Sequence, residues 1–318
     1  MGSGCARNRR IAVSARRHLV LYGHPGRGGF NEAAVDGARR AEAAGQPLAL
    51  HWVAEQAPQA RAAHLHALSA QGADLIIVHG GQGDAPVAAV AHAFPHVQYA
   101  ITQGSHTADN VASYEILQER SAFLAGVLAG LRAGATGTAA HLSGERVRPG
   151  LKGRAAYADG VRRVTGGRDP LTGFCGNQHD PALAQAWAEA VIARDARVIF
   201  AMMDGGRDGI SAACRAARVW QIGNVLDWVA RDPAVYLASA LADSGLCVAR
   251  AAADHAAQRL AVGRRVHIGL ESPEALRLVL GADVSAAERA ALDDWSHALH
   301  TGQVRVASDY HGAEFALH

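Results

Sequence analysis

Short apolar runs alternate with longer stretches of helical periodicity along the first third of the chain. Apolar runs predict strands at 18–22, 47–53, 74–78 and 97–101, and the stretches between them predict helices at 31–44, 59–71 and 85–93. The run 74–78 (DLIIV) has hydrophobic side chains throughout its last four positions, which is typical of a strand buried on both faces. This alternation predicts a parallel sheet with helices on both faces.

The same alternation starts again after Asn110. A helix is expected at 119–132, and strands at 137–142, 171–176, 198–203 and 219–223. Two successive α/β sets of similar size predict an α/β protein with two doubly wound, parallel-sheet lobes. The predicted division is an N-terminal extension at 1–17, a first lobe at 18–113 plus 236–262, and a second lobe at 114–235 plus 263–318.

Composition narrows the class of protein. The 318 residues are 49% hydrophobic and 19% charged, which is typical of a globular protein, and their dispersed charges sum to +2, which disfavours nucleic-acid binding. No run reaches the ~18 apolar residues of a membrane span, and the four cysteines lack the CxxC spacing of a zinc site. The N-terminus also lacks the layout of a secretory signal, so the protein is either cytoplasmic or an export signal has been removed.

The strand-to-helix junctions are the candidate binding segments, because ligands of open parallel sheets lie outside the carboxyl ends of the strands. The first junction, HPGRGGFNE at 24–32, offers Gly29 for close backbone approach, Phe30 as a flat apolar face, and Asn31 as donor and acceptor. An ordinary turn and helix start, with Phe30 as a hydrophobic staple, is an equal alternative. The stretch matches neither phosphate-binding glycine motif.

Four further junctions supply polar candidates. They are 79–84 with Gln82, 102–104 together with 110–113, 177–181 with Gln178, and 204–209. Asp204 follows the buried run VIFAMM directly, so its carboxylate is expected at the end of that strand. Solvated loops and helix starts are the alternatives at these places, as with Asp180-Pro181.

No catalytic constellation is visible. The sequence has neither a G-x-S-x-G elbow nor an H-E-x-x-H pair, and its 17 histidines are scattered. We therefore expect no catalytic residues, no metal site and no cofactor.

Five stretches taken together resemble a known family. They are GGFNEAAVDGARRAEAAG (28–45), GADLIIVHG (72–80), AHAFPHVQYAI (91–101), NVASYEILQERSAFLAGVLAGL (110–131) and NQHDPALAQAWAEAVIARDARVIFAMMDGG (177–206). In order and content they resemble the basic membrane protein family of ABC-transporter substrate-binding lipoproteins, which includes purine nucleoside receptors. The resemblance spans residues from about 18 to 306.

The resemblance implies a type I periplasmic-binding-protein fold with a hinge of three crossovers and a ligand between the lobes. Phe30 then corresponds to the aromatic residue that stacks on a purine ring, with Asn31 beside it. The chain departs from the family at several positions: Gln178 replaces the opposite ring, Gln103 an aspartate, Asn224 or Val225 another aspartate, and Ala242 a lysine. Asp227 matches the second aspartate of its motif.

These departures suggest a changed ligand. Losing stacking and charged partners for ribose hydroxyls weakens a nucleoside complex, so a nucleobase or another flat polar heterocycle fits better. The implied ligand-binding residues are Phe30, Asn31, Gly29, Gln82, Gln103, Gln178, Asp204, Asn224 and Asp227. Closure is expected about 110–113 and 227–235.

The same resemblance implies the partners and the location. We expect a monomer that binds a small molecule, delivers it to ABC permease subunits and binds no nucleic acid. Ser3-Gly4-Cys5 is similar to the end of a lipoprotein processing site, with Cys5 as the lipidated residue, although a chance run of small residues is equally consistent. A cytoplasmic ligand sensor or transcriptional regulator with the same fold is the alternative function.

Overall fold

A computed structural model describes residues 16–26 and 29–317. Two six-stranded sheets organise this part of the chain, and helices alternate with the strands. In chain order the first half contains β1 (Arg17–Tyr22), α1 (Gly29–Ala43), β2 (Ala49–Val53), α2 (Pro58–Ala70), β3 (Leu75–His79), α3 (Asp84–Val90), β4 (Gln98–Thr102), β5 (Val111–Ile116), α4 (Glu119–Ala133), β6 (Thr138–Ser143) and α5 (Arg148–Val164). The second half contains β7 (Leu171–Phe174), α6 (Pro181–Ile192), β8 (Ala196–Met202), α7 (Arg207–Ala217), β9 (Trp220–Val225), α8 (Trp228–Arg231), β10 (Tyr236–Ala242), α9 (Ser244–Ala256), β11 (Arg265–Ile268), β12 (Leu276–Leu280) and α10 (Ala286–His300).

The strand orders define two lobes. The first sheet runs β11-β5-β4-β3-β1-β2 with every pairing parallel. The second runs β12-β10-β9-β8-β6-β7, and only its edge strand β12 is antiparallel to its neighbour. The predicted fold class, two doubly wound sheets of the type I binding-protein kind, is confirmed.

Local sequence explains the central strands and their covering helices. Every residue of β3 is buried, as the apolar run predicts for a strand covered on both faces. Glycines allow neighbouring helices to touch at the backbone: a Cβ on Gly126 of α4 would lie 2.1 Å from the carbonyl oxygen of Tyr157 in α5, and one on Gly160 of α5 would lie 2.2 Å from that of Phe123. The alanine- and glycine-rich composition therefore serves close helix packing.

The chain passes between the sheets three times, as predicted. It crosses after β5, between β10 and α9, and between β11 and β12. The predicted hinge positions are wrong, however. Asn110 precedes β5 within the first sheet, where its Nδ2 donates to three backbone carbonyls, and 227–235 connects two strands of the second sheet.

Two strands, β10 and β11, each belong to the sheet opposite to the one that the sequence predicted. The predicted ranges place 236–262 in the first lobe and 263–318 in the second, whereas β10 belongs to the second sheet and β11 to the first. A hydrophobic run identifies a strand but not the sheet that it joins, because that choice depends on pairing with distant residues. The segment 111–113, treated in the sequence as part of a binding junction, is the start of the buried strand β5.

Candidate functional site

The carboxyl ends of the two sheets meet at the start of α1. The amide nitrogen of Phe30 lies 3.5 Å from Oδ1 of Asp204, at the end of β8 in the other lobe. A Cβ on Gly29 would lie 3.6 Å from Cδ1 of Leu226, which follows β9. Glu32 and Arg231 form an ion pair of 2.8 Å across the same gap. The strand ends named by the sequence therefore face one another.

Phe30 lies on a histidine that the sequence left without a role. The ring centroids of Phe30 and His79 are 4.0 Å apart at an interplanar angle of 28°, and His79, the last residue of β3, is only 1% exposed. Its imidazole contacts the carbonyl oxygen of Phe30 at 3.1 Å and Oγ1 of Thr102 at 2.7 Å. In the sequence, only its position directly after the apolar run of β3 indicated that His79 lies at a strand end.

Burial fixes the protonation of this histidine. Desolvation lowers the pKa of His79 to about 4, and the hydrogen bond to the Phe30 carbonyl opposes that shift only in part. The ring is therefore neutral at pH 7. Because a carbonyl oxygen can only accept, Nε2 carries the proton and donates to Phe30, while Nδ1 accepts from the hydroxyl of Thr102.

The loops after β3 and β4 lie beside Phe30. A Cβ on Gly80 would lie 3.3 Å from Cε1 of Phe30 and 2.5 Å from Oε1 of Gln82, so the backbone passes close to the ring. Gln103 has a φ of 58°, and its carbonyl oxygen lies 3.1 Å from the position of a Cβ on Gly81. Gln82 is exposed and Gln103 is 7% exposed, so both predicted residues lie at this edge of the first lobe.

On the opposite lobe, Asp204 and Arg207 share one turn between β8 and α7. The amide of Arg207 donates to the carbonyl oxygen of Asp204 at 3.1 Å. Burial raises the pKa of the Asp204 carboxyl, whereas His179, Arg207 and the Phe30 amide lower it. Burial also lowers the pKa of Arg207, whose guanidinium carbon lies 3.5 Å from the centroid of the Trp228 ring. Arg207 lies in the junction 204–209, where its residue type and spacing predicted no function.

Gln178 contacts the same turn. Its carbonyl oxygen accepts from the amide of Gly206 at 3.0 Å, while its Oε1 is buried and has no hydrogen-bond partner among the described residues. A Cβ on Gly144 would lie 2.4 Å from this Oε1. A buried acceptor without a donor is costly, which makes Gln178 a group that a ligand or water could satisfy.

Two other predicted side chains, those of Asn31 and Asp227, hold the chain's own backbone, and Asn224 takes part only through its main-chain carbonyl. Nδ2 of Asn31 donates to the carbonyl oxygen of Tyr22 at 3.1 Å, and the carboxylate of Asp227 accepts from the amide of Ala230 at 3.0 Å at the start of α8. The carbonyl oxygen of Asn224 accepts from Nε1 of Trp228 at 2.9 Å. The side chains of Asn31 and Asp227 therefore position the local backbone, and ligand contact by all three residues stays a prediction.

A charge cluster joins the lobes near the first crossing. Glu115, at the end of β5, is 5% exposed and lies 3.1 Å from Nζ of Lys152 in α5. Lys152, the only lysine of the sequence, also pairs with Glu119 at 2.9 Å. Arg148 and His267 approach Glu115 at 3.4 Å and 3.6 Å. The cluster ties β5 of the first lobe to α5 of the second.

A cavity of about 290 Å³ lies next to Trp228, on the side of α7 and α8. Its lining residues are Asp208, Ser211, Ala212, Arg215, Trp228, Arg231, Asp232 and Tyr236.

Within residues 16–26 and 29–317 no cluster of side chains could hold a metal ion, and no helix is both long and apolar enough to cross a bilayer. Cys5, the predicted lipidation site, lies outside the described residues. Burial raises the pKa of the Cys175 thiol to about 12.

Comparison with known families decides the class of protein. Residues 23–279 match the family model described as ABC transporter substrate-binding protein, PnrA-like. The chain belongs to this family.

Solved structures share the fold of this chain. A solute-binding protein of an ABC transporter from Aeropyrum pernix K1 is 23% identical, with a TM-score of 0.81 over 92% of this chain and 93% of that one. One from Conexibacter woesei DSM 14684 is 21% identical, with a TM-score of 0.71 over 92% and 99%. A transcriptional activator of the comK gene from Bacillus halodurans is 16% identical, with a TM-score of 0.76 over 90% and 99%. No curated protein matches the sequence.

Substrate-binding proteins of this family bind a small molecule and work with permease subunits of an ABC importer. They are not enzymes, and they are periplasmic or anchored at the membrane. The regulator considered as the alternative gains no support beyond a shared fold, because the similarity to the comK activator is too low to indicate function.

Proposed function

We propose that this substrate-binding protein carries a flat polar heterocycle, a purine nucleobase or a close analogue, which lies on Phe30 between the two lobes. The observation that carries the proposal is the stacked pair of Phe30 and His79 at the start of α1, directly opposite Asp204. Phe30 is partly exposed while His79 is buried, so the buried ring supports an aromatic side chain that is accessible to a planar ligand.

The polar groups around this platform suit a ring edge. Gln82 and Gln103 on one lobe and Gln178 on the other carry amides, which donate and accept, and Asp204 carries a carboxylate, which accepts when ionised. Gln178 already has a buried Oε1 that lacks a donor among the described residues. Amides also stand at Gln103 and Asn224, where the resemblance implies carboxylates for ribose hydroxyls, so a free base is favoured over a nucleoside.

Closure about the three crossings would trap the ligand. Two ion pairs, Glu32 with Arg231 and Glu115 with Lys152, already join elements of opposite lobes. A ligand that contacts both Phe30 and Asp204 would add to them and shift the population toward the closed form. The closed form is the one that we propose the permease recognises. We further propose that the protein is a monomer and is lipid-anchored through Cys5.

A thermal-shift panel tests the ligand class. Hypoxanthine, adenine, guanine and uracil would be compared with inosine, adenosine and ribose, and each ligand would be assayed against the wild type and Phe30→Ala. We expect the free bases to raise the melting temperature and the variant to lose that shift. Stabilisation by nucleosides but not by free bases would contradict the proposal, as would a shift that is unchanged in Phe30→Ala. Native mass spectrometry of the purified protein gives an independent check through the mass of any bound molecule.

A further inference from the structure

The guanidinium of Arg207 is buried and has no hydrogen-bond acceptor within the part of the chain that the structure describes. The residue is 3% exposed, and among residues 16–26 and 29–317 its guanidinium makes neither a hydrogen bond nor an ion pair. Its backbone amide donates to the carbonyl oxygen of Asp204, its backbone carbonyl accepts from Ser211, and its guanidinium stacks on Trp228. Its five N–H donors are largely withdrawn from water without an acceptor among these residues, so this side chain is suited to a partner that arrives from outside.

The guanidinium reaches across to the other lobe. Its Nη2 lies 3.7 Å from the point where a Cβ on Gly29 would be, next to Phe30 at the start of α1. The amino end of a helix carries a partial positive charge, so two positive groups meet at this point. The Asp204 carboxylate offsets part of this positive charge, and an acceptor oxygen of a ligand would supply the hydrogen bonds that the guanidinium lacks.

Asp204 stands beside this cation with the opposite chemistry. Its Oδ1 lies 3.5 Å from the Phe30 amide, and its backbone carbonyl accepts from the amide of Arg207, so both side chains leave the same turn. A guanidinium only donates hydrogen bonds, and an ionised carboxylate only accepts them. Together they complement a ring edge on which an exocyclic oxygen stands next to an N–H.

We infer that Arg207 is a specificity-determining residue that donates to the exocyclic oxygen of an oxo-substituted heterocycle, while Asp204 accepts from the adjacent ring N–H. The inference rests on the proposed function and narrows its ligand class. Hypoxanthine has this edge. Adenine has the reverse pattern at the same atoms, an amino group beside a ring nitrogen acceptor, and would place a donor against the guanidinium.

Binding of hypoxanthine and adenine, measured by equilibrium dialysis, tests the assignment. The wild type should bind hypoxanthine at least about tenfold more tightly than adenine, because losing a hydrogen bond to a charged group costs roughly tenfold to a hundredfold in Kd. Arg207→Met keeps much of the apolar stem and removes the donors, so hypoxanthine binding should weaken by a similar factor while adenine binding changes less than about threefold. Arg215→Met is the control, because Arg215 lies on the same helix as Arg207 but is exposed and pairs with Asp232 within the second lobe.

Four results would overturn the assignment while leaving the proposed function intact. The first is equal affinity of the wild type for both bases, and the second is an equal loss of both bases in Arg207→Met, which would indicate a purely structural role. If Arg207→Met does not fold, Arg207→Leu, which also lacks donors, replaces it, and retention of the full wild-type preference in that variant would be the third. The fourth is binding of adenine without hypoxanthine. If neither these bases nor any other heterocycle binds the wild type, both fail.

Discussion

Protonation of His79 should make the stability of the first lobe depend on pH. The side chain is 1% exposed, and burial lowers its pKa to about 4. In the unfolded chain a histidine titrates near pH 6.5, so between about pH 6.5 and pH 4 the unfolded state binds a proton that the folded state does not. The free energy of unfolding therefore falls as the pH drops through this window and is insensitive to this group above it.

The size of the effect follows from the two pKa values. At pH 7.5 the histidine is neutral in both states. At pH 5.0 it is charged only in the unfolded state, which lowers the free energy of unfolding by about 2 kcal/mol. Protonation would also remove the acceptor at Nδ1 that holds the Thr102 hydroxyl, and would place a charge under the Phe30 ring.

Urea unfolding at pH 7.5 and pH 5.0, followed by circular dichroism, measures this contribution. His79→Gln should be less stable than the wild type at pH 7.5 by about 1–3 kcal/mol, because it loses the ring stack and two hydrogen bonds. Its further loss between pH 7.5 and pH 5.0 should be about 2 kcal/mol smaller than that of the wild type. The other buried histidines are present in both proteins, so their contributions cancel in this difference.

His92→Gln controls for the removal of a histidine, because His92 is exposed and is expected to leave the wild-type pH dependence in place. The reasoning is refuted if His79→Gln and the wild type lose the same stability, within about 0.5 kcal/mol, between the two pH values.

Three further changes test the packing and the cleft. Phe30→Ala should weaken binding of a heterocycle by about 1–3 kcal/mol in calorimetry while Phe30→Trp retains it, and equal binding by both would contradict the stacking role. Gly126→Ala should lower the free energy of unfolding by about 1–3 kcal/mol in urea, because its Cβ would meet a backbone carbonyl. Gly130→Ala should lower it less, because its Cβ comes closest to a valine side chain, at 2.6 Å. A larger loss in Gly130→Ala than in Gly126→Ala would contradict the close-contact argument. Lys152→Met should destabilise the protein by about 1–3 kcal/mol, because it leaves the buried Glu115 with weaker partners. Adding Glu115→Gln to this variant should recover part of the lost stability. If the effects of the two substitutions on stability are additive, the two side chains are not directly coupled.

Much of the site could be located from the sequence because strand ends are visible there. The apolar runs of β3 and β8 mark where each strand ends, and in a parallel sheet the residues that follow lie at one edge. The ends of β1, β3 and β8 therefore predict positions at this edge for Phe30, Gln82 and Asp204. His79 and Arg207 were passed over, because their importance comes from burial and from neighbours that are distant in sequence.

The sequence by itself determined the alternation of strands and helices, the two-lobed α/β class and the family, because these depend on local periodicity and on motifs in chain order. Only the tertiary structure decided that β10 joins the second sheet and β11 the first, since strand pairing is a contact between distant segments. The tertiary structure also decided that Asn31 and Asp227 bind the chain's own backbone. It leaves the buried guanidinium of Arg207 without a hydrogen-bond acceptor among the described residues. Hydrogen-bond satisfaction is a property of the folded surroundings, and residue type alone does not determine it.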